Sequence, residues 1–355
     1  MATLVESDGV DAPDADPHGR SARSPRMLPW HAWREIVGRV WVKSGTDNIG
    51  LLAAGVAFYV FLSIVPLLAA LVMTYGLIAD PSTIADHMRA IMRLVPKDAA
   101  KLILDQLVSL MTTASGKKGL GLAIALLISL YGATRASGAV MVSLNVVYEE
   151  TERRSLLKTI IISFVMILGA VGVGIVGLLA ASVLALIGKF TENWGAAVAL
   201  LLSIVTWLLA GLLASVAIGA AYRFGPSRHD AKWTWVTVGS CLATLLWLVA
   251  TIGFAAYAAS LGNYNATYGS LGAVVVLLTW LYVSAYAILL GAELNAEAER
   301  QTARDSTIGP EKPLGSRGAT VADQVAGEPG TEPSDKKSRE ALAKASGANA
   351  SRQRV

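Results

Sequence analysis

The sequence predicts an all-α, polytopic integral membrane bundle with six transmembrane helices, and three observations carry that expectation. Of the 355 residues, 54% are hydrophobic and 16% are charged, with a mean hydropathy of +0.53, whereas a typical soluble domain has about a quarter of its residues charged. The apolar residues gather into six runs long enough for the roughly 20 residues that a helix needs to cross hydrocarbon. Most Lys and Arg residues stand outside those runs, which is the pattern that fixes orientation in a membrane. The formal net charge of +4 belongs to segments flanking apolar runs, so it fits the anionic headgroups of a cytoplasmic leaflet and not a nucleic acid, which needs a continuous basic surface.

Residues 1–26 are polar and proline-bearing, with no apolar stretch of the kind a signal peptide needs, and are expected to be disordered and cytoplasmic. Residues 27–47 follow as an interfacial amphipathic helix: Trp30, Trp33, Val37, Val40 and Trp41 recur at helical spacing, with Arg34, Glu35, Arg39 and Lys43 on other faces. The membrane domain occupies 48–300, with spans over 48–79, 119–136, 156–188, 195–222, 233–260 and 268–295. Pro66 removes a backbone donor from the first span and predicts a kink there, either a fixed bend or a hinge, with Ser63 placed to satisfy the freed carbonyl. Between the first two spans, 80–118 carries two apolar stripes separated by Pro96, Ile84 to Val95 and Ile103 to Met111, which read as an extracytoplasmic amphipathic helix pair capping the bundle. Residues 301–355 are polar and are expected to form a disordered cytoplasmic tail. Lys and Arg then place both termini in the cytoplasm, although Lys117 and Lys118 beside the second span run against that rule.

Helices in lipid meet where small residues let backbones approach. Gly211, Ser215 and Gly219 repeat every four residues in the fourth span, and Ala170 with Gly174 and Gly177 with Ala181 mark the third; such seams serve contacts within one chain or in a homo-oligomer alike. Gly172, Gly174 and Gly177 satisfy a dinucleotide-binding pattern, but inside an apolar span, without a strand before it, the pattern means packing. Cys241 stands alone in an apolar run and is expected to be buried.

Charge near hydrocarbon is costly, about 2.5 to 3.5 kcal/mol per residue at a helix centre on insertion scales, so the few polar residues at span ends are the candidate site. Under the predicted topology Asp47, Asn48, Arg135, Asn145, Arg223, Glu293 and Asn295 converge at the cytoplasmic ends of the spans. Arg135 is expected to pair with Glu293 and Arg223 with Asp47. The ring is either a structural clasp or a vestibule for an anionic headgroup or a proton-linked gate. No catalytic, cofactor or metal site is expected: His18, His31, His87 and His229 stand far apart in sequence, and no nucleophile elbow, phosphate loop or metalloprotease motif occurs.

Three stretches resemble one family. Ala53-Ala-Gly-Val-Ala-Phe-Tyr-Val-Phe-Leu-Ser-Ile-Val-Pro66, Tyr222-Arg-Phe-Gly-Pro226, and Tyr268-Gly-Ser-Leu-Gly272 running on to Gly291-Ala-Glu-Leu-Asn295 are similar to the YihY/virulence factor BrkB family of bacterial inner-membrane proteins, once labelled ribonuclease BN. The resemblance covers about residues 30–300 and implies a six-helix inner-membrane protein linked to envelope or lipid export, with no catalytic residue carried over. The ribonuclease label would need a histidine and aspartate cluster holding metal-activated water, which this sequence does not display. The expected function is therefore a transporter or export factor for a lipid or amphiphilic envelope component; the alternative is a non-enzymatic scaffold for envelope assembly, and membrane-bound nuclease activity is the least supported.

Overall fold

The computed structural model describes residues 16–75, 118–190, 196–260 and 270–327. Among these residues seven α-helices follow in order: α1 (Trp30–Thr46), α2 (Ile49–Tyr75), α3 (Lys118–Val147), α4 (Leu156–Phe190), α5 (Ala196–Phe224), α6 (Trp233–Ser260) and α7 (Ser270–Gln301). Among the described residues there is no strand, and the sole β contact is an isolated bridge between Ala231 and Thr307. Among the described residues four helices, α4 to α7, carry windows long and apolar enough to cross a membrane, or five spans if α1 and the first part of α2 count as one bent span. The predicted helix pair over 80–118 falls almost wholly outside the described residues.

The amphipathic α1 forms where expected and meets Ile49–Ile64 of α2 at 63°. Its faces divide more finely than the tryptophan spacing suggests. Ala32, Ile36 and Val40, each four residues on, form the buried side and pack on Trp235, Leu294 and Ala298. Trp30, Val37 and Trp41 stay exposed on the chain's surface, the placement an interfacial helix needs for aromatic rings at the headgroup level. The bend is made by Asn48, whose φ of 53° lies in the left-handed region that asparagine tolerates better than most residues. Its carbonyl accepts from Leu51 and Leu52 and so starts α2.

Helix α2 runs unbroken through Pro66, and from residue 65 onward only its backbone is described. Ser63 does not serve the carbonyl freed by that proline: its hydroxyl donates to Val60 O at 2.8 Å. Helix α2 lies tightly on α3, where a Cβ on Gly132 would stand 3.0 Å from Ser63 Cα. Helix α3 itself extends well past the predicted end of its span, to Val147.

Helix α7 is the centre of the bundle, packed against α1, α2, α3 and α6, while α4 lies outside, against α5 and α3. The main core gathers Ile49 and Val56 of α2, Leu144 and Val147 of α3, Tyr222 of α5, Val236 of α6 and Leu289 and Ala296 of α7. Leu156, Leu168, Leu200, Leu208, Val249 and Ile252 face outward, as lipid-facing side chains do when the surrounding solvent is as apolar as they are.

Two terminal expectations are corrected. Residues 16–26 are ordered, with Ala22 buried and a 3-10 turn at Pro25–Met27. After Gln301 the chain does not fray but folds back over the end of the bundle as far as Gly327, with Thr302, Ser306, Thr307, Val321 and Ala322 buried. Specific polar contacts offset the entropy of ordering so polar a segment. The Arg317 guanidinium donates to the carbonyls of Ala303 (2.6 Å), Lys312 (3.1 Å) and Arg304 (3.2 Å), Ala303 N donates to Arg20 O at 2.8 Å, and Lys232 N to Ser306 O at 2.8 Å. Residues 1–15 and 328–355 lie outside the described set.

Candidate functional site

The site grows from the last three turns of α7. Gly291 to Thr302 are buried without interruption, among them Glu293, Glu297, Glu299 and Arg300. The backbones of α6 and α7 nearly touch beside this stretch: a Cβ on Gly239 would fall 2.0 Å from Gly291 O, and one on Gly291 would fall 2.5 Å from Gly239 O. Only glycine permits that approach. Asn295 locks it, its Oδ1 accepting from Gly239 N at 2.7 Å and its Nδ2 donating to Val236 O at 3.0 Å.

Around this crossing the buried charges form two linked groups. In the first, Arg39 Nε meets Glu297 Oε2 at 2.6 Å, Arg300 bridges Glu297 (3.2 Å) and Glu149 (3.0 Å), and Lys43 reaches Glu149 and, at 3.8 Å, Asp47. Asp47 in turn lies near Glu293, and the buried Asp47 Oδ2 and Glu293 Oε1 find no hydrogen-bond partner among the described residues. In the second, Arg228 Nη2 meets Glu299 Oε2 at 2.7 Å with both side chains fully enclosed. Tyr148 lies under the Arg228 guanidinium at 4.8 Å, and Ser306 adds a 2.7 Å bond to Glu299. Charges removed from water persist only when paired in this way.

The loop after α3 ties the two groups together. Glu149 has φ 54° and Glu150 N donates to Asn145 O at 2.7 Å, a helix stop of the kind glycine usually provides. A glutamate in that conformation is strained by roughly 1–2 kcal/mol, and the conformation points its carboxylate at Lys43 and Arg300. Burial alone would raise the Glu149 pKa, but Arg300 and Lys43 outweigh it and hold it below the usual carboxylate value. The hydrogen bonds from Arg154 bring Glu152 down to about 2, against the opposing effect of burial. Burial pushes Glu150 up, only partly offset by the bond it accepts from Thr320 N.

The predicted polar ring is thus partly assembled and partly corrected. Asp47 and Glu293 come near each other. Asn295 and Asn145 are buried staples, Asn145 Oδ1 accepting from Ser227 N at 2.7 Å and its Nδ2 donating to Glu152 at 3.1 Å. Asn48 is an exposed turn residue. Arg135 does not meet Glu293: because α3 continues to Val147, Arg135 sits mid-helix, exposed, 5.1 Å from the Tyr131 ring. Arg223 does not meet Asp47; it stays with its own turn, 3.9 Å from Asp230 and stacked 4.9 Å over Trp233. Gly211, Ser215 and Gly219 do face one helix, α6. The contacts are ordinary, 3.8 Å at Gly211 and 3.4 Å at Gly219 for an added Cβ, with Ser215 Oγ 3.1 Å from Ser240 Oγ. Gly174 lies in α4 where only the backbone is described. Cys241, expected to be buried, is exposed.

Sequence reasoning missed a large opening among the described residues. A cavity of about 1550 Å³ lies between α4 and α5, walled by Ile162, Val165, Met166, Val216 and Leu289, and bordered at the α4 start by Arg153, Arg154 and Lys158, with Glu150 and Asp230 also in its lining. Residues of the folded-back tail, Gly318 and Thr320 among them, close one side. The signal was present as the run Arg153-Arg154 followed by Lys158 at the head of an apolar helix. The histidines also differ from their sequence reading: His18 and His31 come together, ring centroids 5.5 Å apart, beside Glu35.

Several relatives share most of this chain. The ribonuclease-like protein YfkH of Bacillus subtilis (strain 168) is 28% identical over 74% of this chain and 93% of its own length. A UPF0761 membrane protein of Tolumonas auensis is 30% identical over 74% of this chain and 82% of its own, and another from Cronobacter sakazakii is 25% identical over 78% and 91%. No solved structure matches. The profile of the virulence factor BrkB family matches residues 40–315, which take in the end of α1, α2 to α7 and the first part of the folded-back tail. With that match, and with membrane proteins among its relatives, the chain belongs to the virulence factor BrkB family.

Proposed function

We propose that this protein moves a lipid or another amphiphile with an anionic headgroup, acting as a transporter or export factor in the bacterial inner membrane with six spans and both termini in the cytoplasm. The cavity between α4 and α5 carries this reading: its wall is apolar along the helices, and Arg153, Arg154 and Lys158 stand at its mouth, with Glu150 and Asp230 beside them. That arrangement suits one molecule with a greasy body and a negative end, since an apolar wall alone fits an acyl chain and guanidinium groups bind phosphate or carboxylate through paired donors. The family's membrane character and the outward apolar faces of α4 to α6 support the setting. Anionic headgroups of the cytoplasmic leaflet are the partners this charge favours, and a homo-oligomer is compatible with this reading. Nucleic acid has no place in this reading, and the protein is not an enzyme in it, although one relative's name is ribonuclease-like.

Flux in proteoliposomes tests the proposal. Fluorescent phosphatidylglycerol should cross more than tenfold faster with the protein than without it, and Gly169→Leu should abolish the gain, because a Cβ there enters open space beside the cavity. Equal rates with wild type, variant and empty vesicles across phospholipids and small anions would reject the proposal in favour of a scaffold role.

A further inference from the structure

The geometry points to a divalent transition-metal site, of the kind zinc occupies, formed by His18, His31 and Glu35 on the surface beside the end of α7. Glu35 Oε1 lies 3.0 Å from His18 Nδ1 and 3.3 Å from His31 Nδ1, and the three ligand atoms all fall within 4.8 Å of one another. Zinc bonds to imidazole nitrogen and carboxylate oxygen at about 2.0–2.1 Å, so neighbouring ligands on a tetrahedron stand about 3.3–3.4 Å apart. The two measured separations are close to that edge.

The surroundings hold the three groups in place. His31 and Glu35 are one helical turn apart on α1, so they share a face. His18 arrives from the segment before the helix, where Asp16 fixes the chain by accepting from Ser21 N at 2.6 Å and Ser21 Oγ at 2.7 Å. Gln301 completes the arrangement: its Nε2 donates to Glu35 Oε2 at 2.9 Å and to His18 O at 2.8 Å, while its Oε1 accepts from Arg39. One carboxylate oxygen is therefore anchored and the other faces both imidazoles, the division of labour seen where an outer hydrogen bond orients a metal ligand. Three ligands leave a fourth position for water. Because Gln301 and Arg39 belong to the buried charge group around Glu297, a bound metal pins the segment before α1 to the end of α7. The site is separate from the cavity between α4 and α5, so it stands whether or not that cavity carries an amphiphile.

Zinc titration of the full-length, chelator-treated protein, purified in mild detergent through a tag without histidine, tests the site. Wild type should take up one equivalent of Zn²⁺, and Co²⁺ in its place should give the strong visible absorption of tetrahedral coordination. His18→Ala with His31→Ala should lose both signals. Gln301→Ala should weaken binding by about 10–100-fold. His31 is largely exposed, so His31→Ala alone should keep the fold, checked by an unchanged metal-free melting temperature, and still lose the Co²⁺ spectrum. Absence of an equivalent of Zn²⁺ on wild type, or binding that persists in the double histidine variant, would overturn the assignment.

Discussion

At the scale of single residues, the buried pairs decide most. Arg228 and Glu299 are fully enclosed, and removing one partner of such a pair leaves a charge with no water to solvate it, at about 3–5 kcal/mol. Glu299→Leu and Arg228→Met should each lower stability by that order, whereas the double variant should lose much less, as read by melting curves in detergent. Glu152 gives a pH dependence. Its folded pKa of about 2 lies below the ordinary 4.5, so the ionised form is favoured by folding. Its contribution is fully present above pH 4.5 and is lost as the pH falls from there to about 2. Wild type should lose stability over that window more steeply than Glu152→Gln, and parallel pH curves would argue against the Arg154 contact. Glu149 offers a separate check: Glu149→Gly relieves the left-handed backbone yet deletes the contacts to Lys43 and Arg300, and should still destabilise relative to Glu149→Gln if the chain's stability there rests more on side-chain contacts than on backbone strain.

At the scale of helices, apolar run length and periodicity made most of the fold readable: α4, α5 and α6 begin and end within two residues of the predicted spans. What hydropathy cannot reveal is how far a helix extends once its residues turn polar. Helix α3 continues past Arg135 and α7 past Asn295, with polar side chains buried in both extensions, and the mispredicted pair of Arg135 with Glu293 follows from the first. The small-residue rule located a genuine face at Gly211, Ser215 and Gly219 but not the tightest crossing, since Gly239 and Gly291 lie in different helices and no spacing within either one marks them. Gly239→Ala or Gly291→Ala should prevent the close approach of α6 and α7 and yield little folded protein, judged by a monodisperse peak in size-exclusion chromatography. Gly211→Ala, with its nearest neighbours at 3.8 Å, should be tolerated.

At the scale of the whole molecule, the cytoplasmic-side reading of the polar ring becomes a folded cap: the segment before α1, the loops after α3 and α5, and the chain from Thr302 to Gly327 enclose the end of α7. Composition could not signal this, because a polar segment is ordered only by partners far away in sequence. Val321 sits in the main core, so Val321→Asp should destabilise by roughly 3 kcal/mol or more through burial of an unpaired polar group, measurable as a lowered melting temperature. The cap also borders the cavity, whose apolar wall and cationic mouth are the basis of the proposed function. Native mass spectrometry of the protein released from mild detergent tests that basis most directly. The account predicts a retained anionic lipid on wild type, strongly depleted by Gly169→Leu and by Lys158→Glu; wild type free of bound lipid, or lipid retained equally by both variants, would contradict it.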